Sequence, residues 1–177
     1  MVEGDSEDVY FKRIARLTES CSIRVKVSRD KRPADMVNNC LKEAERLGLD
    51  KDDPMIVVFD LDVVDDEELD EAVALAKSKG VRIMVSNLSF EIWLLMHLRD
   101  VSHLYTQGDY EDALSQLIGH RYRKSEGLKE RLNQTTVGEA VRRGRSLLHV
   151  PDPKLCKNTP NTSTLWELLS EMLKVDV

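Results

Sequence analysis

The segment formed by residues 55–62 constrains the fold of this chain more than any other. Its first five residues are apolar, and three of them are β-branched, which is typical of a strand buried on both faces. The segment ends in Asp60 and Asp62, whose side chains leave the same face of an extended chain. Ligands bind at the carboxyl ends of such strands in parallel sheets. The segment therefore predicts an α/β fold with an acidic site beside a central strand.

The spacing of Asp60 and Asp62 suggests a metal site. Two carboxylates only a few Å apart repel each other, so one of them tends to hold a proton. A divalent cation removes this repulsion, and oxygen ligands suit Mg²⁺ or Mn²⁺. The alternative interpretation is that the two acids only cap the loop after the strand.

Composition limits the class of protein. A chain of 177 residues with 41% hydrophobic and 33% charged residues is typical of one globular domain. No apolar run approaches the roughly 18–20 residues of a membrane span, and the acidic amino terminus does not resemble a signal peptide. The three cysteines are scattered and lack CxxC spacing, which argues against a disulfide framework or a zinc site. We expect a cytoplasmic protein.

The net charge of −6 does not by itself predict nucleic-acid binding, but the basic residues are clustered. Each cluster is either a phosphate-binding surface or ordinary solvated surface, and charge alone does not distinguish the two. The clusters are Arg24, Lys26, Arg29, Lys31 and Arg32; residues 120–124; and Arg142, Arg143 and Arg145.

Strands and helices alternate in the first half of the chain. Predicted strands at 22–28, 55–62 and 81–85 are separated by helices that begin near Pro33 and Asp65, and a further helix covers residues 7–19 after a turn at Gly4. This order predicts βαβ units and a parallel sheet. Further helices are predicted at 90–98, 109–122, 126–134, 136–148 and 163–174, with a polar loop at 152–163. We divide the chain into an α/β core at 1–100 and a helical extension at 101–177, packed together as one compact unit.

Polar residues follow several of these strands. In a parallel sheet their carboxyl ends lie on one rim, so the sequence predicts one site built from several strand ends. The residues at these ends are Glu3, Asp60, Asp62, Ser86 and Asn87.

One family resemblance points to a phosphatase. Residues 59–62 followed by 83–87 resemble the first two motifs of haloacid-dehalogenase-type phosphatases, which implies a nucleophilic Asp60 and a phosphate-binding Ser86. The chain departs from that pattern because a βα unit precedes the acidic strand, Val63 and Val64 replace the Gly-Thr-type turn, and no paired acids follow Ser86 in a later strand. We keep this interpretation as the lesser alternative.

A second resemblance covers nearly the whole chain. Residues 3–11 resemble the EGxxTExxYF opening of RloB-like proteins, and residues 86–97 resemble their SNPxFExWLLLH segment. Residues 122–124 and 160–164 are similar to later motifs of that family. The Glu-Gly turn and the Asp-x-Asp pair also resemble the Toprim domain of topoisomerases, primases and OLD-type nucleases. The departures are Ser6 for threonine, Leu88 for proline, and a nearly absent first strand.

The RloB-like resemblance implies a Toprim-like parallel sheet flanked by helices, with a helical C-terminal half. It implies a Mg²⁺- or Mn²⁺-dependent endonuclease that hydrolyses phosphodiester bonds of RNA, including tRNA, or DNA. The implied setting is phage defence, restriction-linked or by abortive infection. The candidate partners are a nucleic acid, an activating ATPase and a second copy of the chain, without a membrane. The metal ligands carried over are Glu3, Asp60 and Asp62.

Further site residues follow from the same resemblance and from their positions, and each has an alternative role. Glu7 is an additional metal ligand, a general base or an ordinary first-turn acid. His97 is a catalytic group or a core histidine, and Lys124 binds the scissile phosphate or is solvated surface. The catalytic candidates are Glu3, Glu7, Asp60, Asp62, Glu91, His97 and Lys124. The substrate-binding candidates are Ser86, Asn87, Ser89, Arg121, Tyr122 and Lys124.

A non-catalytic interaction module is the main alternative to the nuclease. In that interpretation the acids serve folding or partner binding, and Ser89 is only a helix N-cap. The short first strand and the negative net charge favour it.

Overall fold

Strands β1 (Met55–Asp60) and β2 (Val81–Asn87) form the centre of the sheet and run parallel. The computed structural model describes residues 1–18, 22–50, 52–101, 106–128 and 131–175. In the register, Met55 pairs with Val81 and Asp60 pairs with Ser86. The first of these strands therefore ends at the predicted acidic position, beside the end of the second.

The third strand corrects the prediction of a parallel sheet. Strand β3 (Thr162–Ser163) pairs with the end of β2 in the antiparallel direction, so the sheet is mixed. The cause is the segment predicted as a polar loop. The Asn87 side chain donates hydrogen bonds to the backbone carbonyls of Cys156, Lys157 and Thr159, which brings the chain back past the end of β2.

A single residue, Val2, takes the place of the predicted first strand. Val2 forms parallel bridges with both Val27 and Val58. The predicted strand at 22–28 is likewise reduced to a bridge at Val27, although its odd-numbered residues are half-buried and its even-numbered residues up to Lys26 are exposed. The predicted alternation of exposed and half-buried side chains is therefore present, but these residues do not form a continuous β-strand.

Local signals in the sequence account for the helices of the first half, α1 (Asp5–Leu17), α2 (Pro33–Leu47) and α3 (Asp66–Lys79). The second begins with a proline and ends at Gly48 in the left-handed conformation, as expected for these residues. The third is capped by Asp65, whose side chain accepts a hydrogen bond from the Glu68 backbone N–H, and stops at Gly80.

The second half is helical, as predicted, but one predicted helix is missing from the described residues. Its helices are α4 (Phe90–Met96), α5 (Gln107–Ile118), α6 (Gln134–Leu147), α7 (Pro153–Lys157) and α8 (Leu165–Leu173). The helix predicted at 126–134 is replaced at 124–128 by turns, because Gly127 takes a left-handed conformation and Asn133 caps the start of α6. Residues 129 and 130 of that prediction lie outside the described part of the chain.

Helices cover both faces of the sheet, and side chains alternate between two apolar clusters. Val57 and Phe59 pack with residues of α2 and α3, whereas Val58 and Met84 pack with α1, α4, α6 and α8. All seven residues of α4 are buried, so this helix lies at the centre of the second cluster. No helix in the described part of the chain is long and apolar enough to cross a membrane.

Candidate metal centre

Three carboxylates converge at the carboxyl end of β1. Glu3 follows the bridge residue Val2, Glu7 lies in the first turn of α1, and Asp60 is the last residue of β1. One oxygen from each carboxylate lies within 4.8 Å of the other two. Because Asp60 lies far in the sequence from Glu3 and Glu7, which flank the start of α1, folding completes this cluster, which we call the acid cluster.

Backbone contacts hold the acid cluster in place. One carboxylate oxygen of Glu3 accepts a hydrogen bond of 3.0 Å from the Asp60 backbone N–H. The Lys31 ammonium donates to the Glu3 carbonyl oxygen. A Cβ atom at Gly4 would lie only 3.3 Å from a Glu7 carboxylate oxygen, so the glycine leaves room for that carboxylate to fold back over the helix end.

The electrostatics of the acid cluster favour a bound proton or a bound cation. Glu7 is only 4% exposed, and this burial, with the nearby carboxylates of Glu3 and Glu91, raises its pKa to about 7. Burial also raises the pKa of Asp60 well above its usual value, with the charges of Glu7 and Glu3 acting in the same direction. At neutral pH the unliganded cluster therefore carries less than its full negative charge.

Glu91 lies beside the acid cluster and is held by hydroxyl groups. It is fully buried, and it accepts hydrogen bonds from Ser6 at 3.0 Å, Ser89 at 2.8 Å and Tyr122 at 3.1 Å. A buried carboxylate needs such donors because desolvation without them is costly. Three hydroxyl donors therefore hold the Glu91 carboxylate in position beside the cluster.

Lys124 supplies the positive charge closest to Glu91. Its ammonium lies 3.7 Å from a Glu91 oxygen, and its side chain remains 48% exposed. Burial of the ammonium would lower its pKa, but the carboxylates of Glu91, Asp60, Glu111 and Glu7 outweigh this effect and raise the pKa above its usual value. Lys124 is therefore a cation that is reachable from solvent at the edge of the acid cluster.

Asp62 lies outside the acid cluster, whereas Glu7 lies inside it. The Asp62 side chain is exposed and accepts a hydrogen bond from the next backbone N–H, that of Val63. Strand β1 ends at Asp60, although the Leu61 N–H still donates to the carbonyls of Ser86 and Leu88. The strand alternation that would align Asp62 with Asp60 therefore does not continue to Asp62.

The predicted phosphate-binding residues after β2 make internal contacts. Ser86 is 1% exposed, and its hydroxyl lies 3.0 Å from that of Ser163. Asn87 holds the last residues of α7 and Thr159 after it, and Ser89 donates to Glu91. The structure therefore places Ser86 and Asn87 in structural contacts and Ser89 in support of Glu91.

His97 lies in the core rather than at the acid cluster. Its Nδ1 is 2.9 Å from the Trp93 carbonyl oxygen, and its Nε2 is 3.2 Å from the Tyr10 hydroxyl. Because a carbonyl only accepts, Nδ1 carries the proton and Nε2 accepts from Tyr10. Burial lowers the pKa of His97 to about 4. This is the core-histidine alternative, with both ring nitrogens satisfied.

The remaining candidates divide between surface and interior. Arg121 is exposed, whereas Tyr122 is only 6% exposed and directs its hydroxyl to Glu91. The ring of Tyr122 is therefore packed and does not present a face to a base. Sequence reasoning missed the contact of Ser6 with Glu91, because it joins α1 to α4 across 85 positions of the sequence.

Comparison with known proteins identifies one family. The sequence model of the family described as RloB-like protein matches residues 1–172, which is nearly the whole chain. No curated protein and no solved structure matches the chain.

Proposed function

The chain belongs to the RloB-like family, and on that premise we propose that it is a Mg²⁺- or Mn²⁺-dependent endonuclease of the Toprim type. Its proposed substrates are phosphodiester bonds of RNA or DNA, cleaved in antiviral defence. The observation that supports this function best is the acid cluster, in which oxygens of Glu3, Glu7 and Asp60 lie within 4.8 Å of one another.

The donor set of the acid cluster fits a hard divalent cation. All three donors are carboxylate oxygens, which Mg²⁺ and Mn²⁺ prefer. In an octahedral Mg²⁺ site each oxygen lies about 2.0–2.1 Å from the ion, so opposite oxygens are about 4.2 Å apart. Adjacent oxygens are about 2.9 Å apart, so the three carboxylates, now within 4.8 Å of one another, would move closer together around a bound ion. We therefore assign Glu3, Glu7 and Asp60 as the residues that would hold the cation.

The chemistry that the cation would supply when bound is Lewis-acid polarisation of the phosphate and activation of the attacking water. The protein's own residues control when this happens. Glu7 holds a proton below about pH 7, and a protonated carboxyl group is a poor ligand. The site therefore binds a cation best at neutral or higher pH.

Lys124 would contact the substrate. Its half-exposed ammonium at the edge of the acid cluster can pair with the oxygens of a phosphate that approaches the three carboxylates. Glu91, held by Ser6, Ser89 and Tyr122, restrains the ammonium in that position. Lys124 offsets part of the negative charge of the carboxylates, so it makes the approach of a phosphate to the site more favourable.

The phosphatase alternative receives less support from the geometry. It requires the Ser86 hydroxyl to contact the substrate phosphate, but that hydroxyl is buried against Ser163.

A non-catalytic interaction module is the second candidate. The observation that favours it is that Glu3 and Glu91 already accept hydrogen bonds from the protein, so these acids have structural roles. In that case the chain would bind its partner without cutting nucleic acid.

A cleavage assay separates these functions. Labelled single- and double-stranded RNA and DNA are incubated with the wild type in Mg²⁺, in Mn²⁺ and in excess chelator. Asp60→Asn is the test variant, and Asp112→Asn is the matched control because Asp112 is an exposed residue of α5. We expect metal-dependent cleavage that falls by more than about 100-fold in Asp60→Asn and is unchanged in the control. Cleavage that survives in Asp60→Asn, or that never occurs with either metal, would contradict the nuclease.

A further inference from the structure

A basic cavity lies against α1 on a different side from the acid cluster. Its volume is about 230 Å³, which is below the roughly 300–1,000 Å³ of pockets for drug-sized ligands. It therefore suits a small group rather than a whole organic ligand. The cavity is lined by Val9, Tyr10, Lys12, Arg13, Arg16, Leu128 and Leu132.

The cations of this basic cavity are only partly neutralised. Lys12 forms an ion pair of 2.7 Å with Asp8. Within the described residues, neither Arg13 nor Arg16 has a carboxylate partner, and the Nε atom of Arg13 is buried without a hydrogen-bond acceptor. A buried charged donor without an acceptor costs free energy, so an anion placed in the cavity would relieve that cost.

The lining of the basic cavity matches a phosphate attached to a sugar. Guanidinium groups form paired hydrogen bonds to phosphate oxygens, which Arg13 and Arg16 can offer together. The apolar side chains of Val9, Leu128 and Leu132 form the remaining wall, where a sugar can pack. A free inorganic anion would leave this apolar wall unused.

The basic cavity and the acid cluster are joined by α1 and by one loop. Glu7 and Arg13 are six residues apart in α1, which is about 9 Å along the helix axis and about 120° around it. The loop that places Lys124 beside Glu91 continues to Gly127, where a Cβ atom would lie 3.1 Å from Val9, and then to Leu128 in the cavity wall. A ligand could therefore follow this loop from one site to the other.

We propose that the basic cavity binds a second backbone phosphate of the nucleic acid and thereby selects single-stranded substrates; this inference rests on the proposed function. A strand that reaches both sites must turn around α1 over a short distance. Duplex DNA is stiff, with a persistence length of about 150 base pairs, and cannot follow that path. A single strand can.

The test measures binding rather than cleavage. Fluorescence anisotropy follows oligouridylate and oligodeoxythymidylate probes of about 12 nucleotides with the full chain in excess chelator, at several salt concentrations. The test variant is Arg13→Gln/Arg16→Gln. The matched control is Arg142→Gln/Arg145→Gln, which removes the same charge from exposed positions of α6. We expect the test variant to bind about 10- to 100-fold more weakly and its salt slope to fall by about 0.7 per lost phosphate contact.

Several outcomes would overturn the inference: no binding by the wild type, equal binding by the test variant, equal loss in the control, or tighter binding of a duplex than of its single strand. The single variant Arg13→Met tests whether weaker binding results from misfolding rather than from loss of the guanidinium group. Because it removes an unpaired buried donor, we expect it to keep or raise the melting temperature while weakening binding. If Arg13→Met unfolds, the exposed Arg16→Gln alone carries the binding test.

The two proposals can fail separately. Binding that depends on Arg13 and Arg16, without metal-dependent cleavage, would refute the nuclease and leave the phosphate site standing. Cleavage that depends on Asp60 but not on these arginines would refute the phosphate site alone.

Discussion

Among single residues, Glu7 best shows how the fold changes the chemistry of a side chain. In the sequence it is an ordinary acid in the first turn of a helix, where negative charge is favourable. In the structure it is 4% exposed and faces Glu3 and Asp60, and its pKa rises to about 7. A carboxylate at this position therefore has a free-energy cost in the metal-free protein and becomes favourable when a cation is bound.

This cost predicts a pH-dependent effect of Glu7→Gln. The folded protein holds a proton on Glu7 up to about pH 7, whereas the unfolded chain holds it only up to about pH 4.3. The contribution of Glu7 to the free energy of unfolding of the wild type therefore falls as the pH rises between those values. We expect Glu7→Gln to raise the free energy of unfolding of the metal-free protein by about 1–3 kcal/mol at about pH 8. The gain should shrink toward about pH 5.

Urea unfolding in excess chelator across that pH range measures this effect. Glu45→Gln, at an exposed position of α2, is the matched control and should be nearly neutral throughout. A Glu7→Gln protein that is less stable than the wild type at high pH would show that the carboxylate is satisfied without a metal.

At the scale of helices and strands, local signals predicted more than long-range ones. Pro33 and Asp65 mark the starts of helices correctly because caps depend on nearby residues. The direction of β3 was not predictable, because it depends on the contacts of Asn87 with the end of α7 and with Thr159.

The acid cluster also shows that long-range contacts are harder to predict from sequence than local structure. Glu3 and Asp60 were expected to lie together because both follow predicted strands. Glu7 was predicted as an additional ligand only as one of three alternatives, although it lies one helical turn beyond Glu3. The position of Asp62 outside the cluster was not expected, because it depends on where β1 ends.

The packing of α6 against α8 predicts opposite effects for two glycines of one helix. A Cβ atom at Gly144 would lie 3.0 Å from the Trp166 Cβ, whereas one at Gly138 would meet nothing closer than 3.8 Å. We expect Gly144→Ala to destabilise the protein by about 1–3 kcal/mol through overpacking. Gly138→Ala should stabilise it by up to about 1 kcal/mol through helix propensity.

Thermal and urea unfolding of the two variants compare these effects directly, since both substitutions add the same methyl group to α6. If Gly144→Ala were as stabilising as Gly138→Ala, α6 and α8 would be packed less closely than the structure shows.

At the scale of the whole molecule, the sheet carries the acid cluster at one end and apolar side chains on both faces. Apolar clusters lie on both faces, and the acid cluster lies where β1 ends and α1 begins. The chain carries a net charge of −6, so a nucleic acid would meet a repulsive molecule everywhere except at local basic groups. Lys124 and the basic cavity beside α1 are the places where the proposed substrate is attracted.

The linkage of metal to protons predicts how a cation acts on the whole protein. Because the cation displaces protons from Glu7 and Asp60, whose pKa values are raised, its stabilising effect should be larger at about pH 8 than at about pH 6. The shift of the melting temperature with saturating Mg²⁺ or Mn²⁺ measures this. Equal shifts at both pH values would show that the metal binds elsewhere.

The most direct test of the acid cluster is a calorimetric titration of the metal-free protein with Mn²⁺ at about pH 8. The account predicts binding by the wild type and by the Asp112→Asn control. It predicts affinities lower by more than about tenfold in Glu3→Gln, Glu7→Gln and Asp60→Asn, each of which must first be shown to be folded. A wild-type protein that neither releases nor absorbs binding heat at two temperatures, or three variants that bind Mn²⁺ as tightly as the control, would contradict a metal held by these carboxylates.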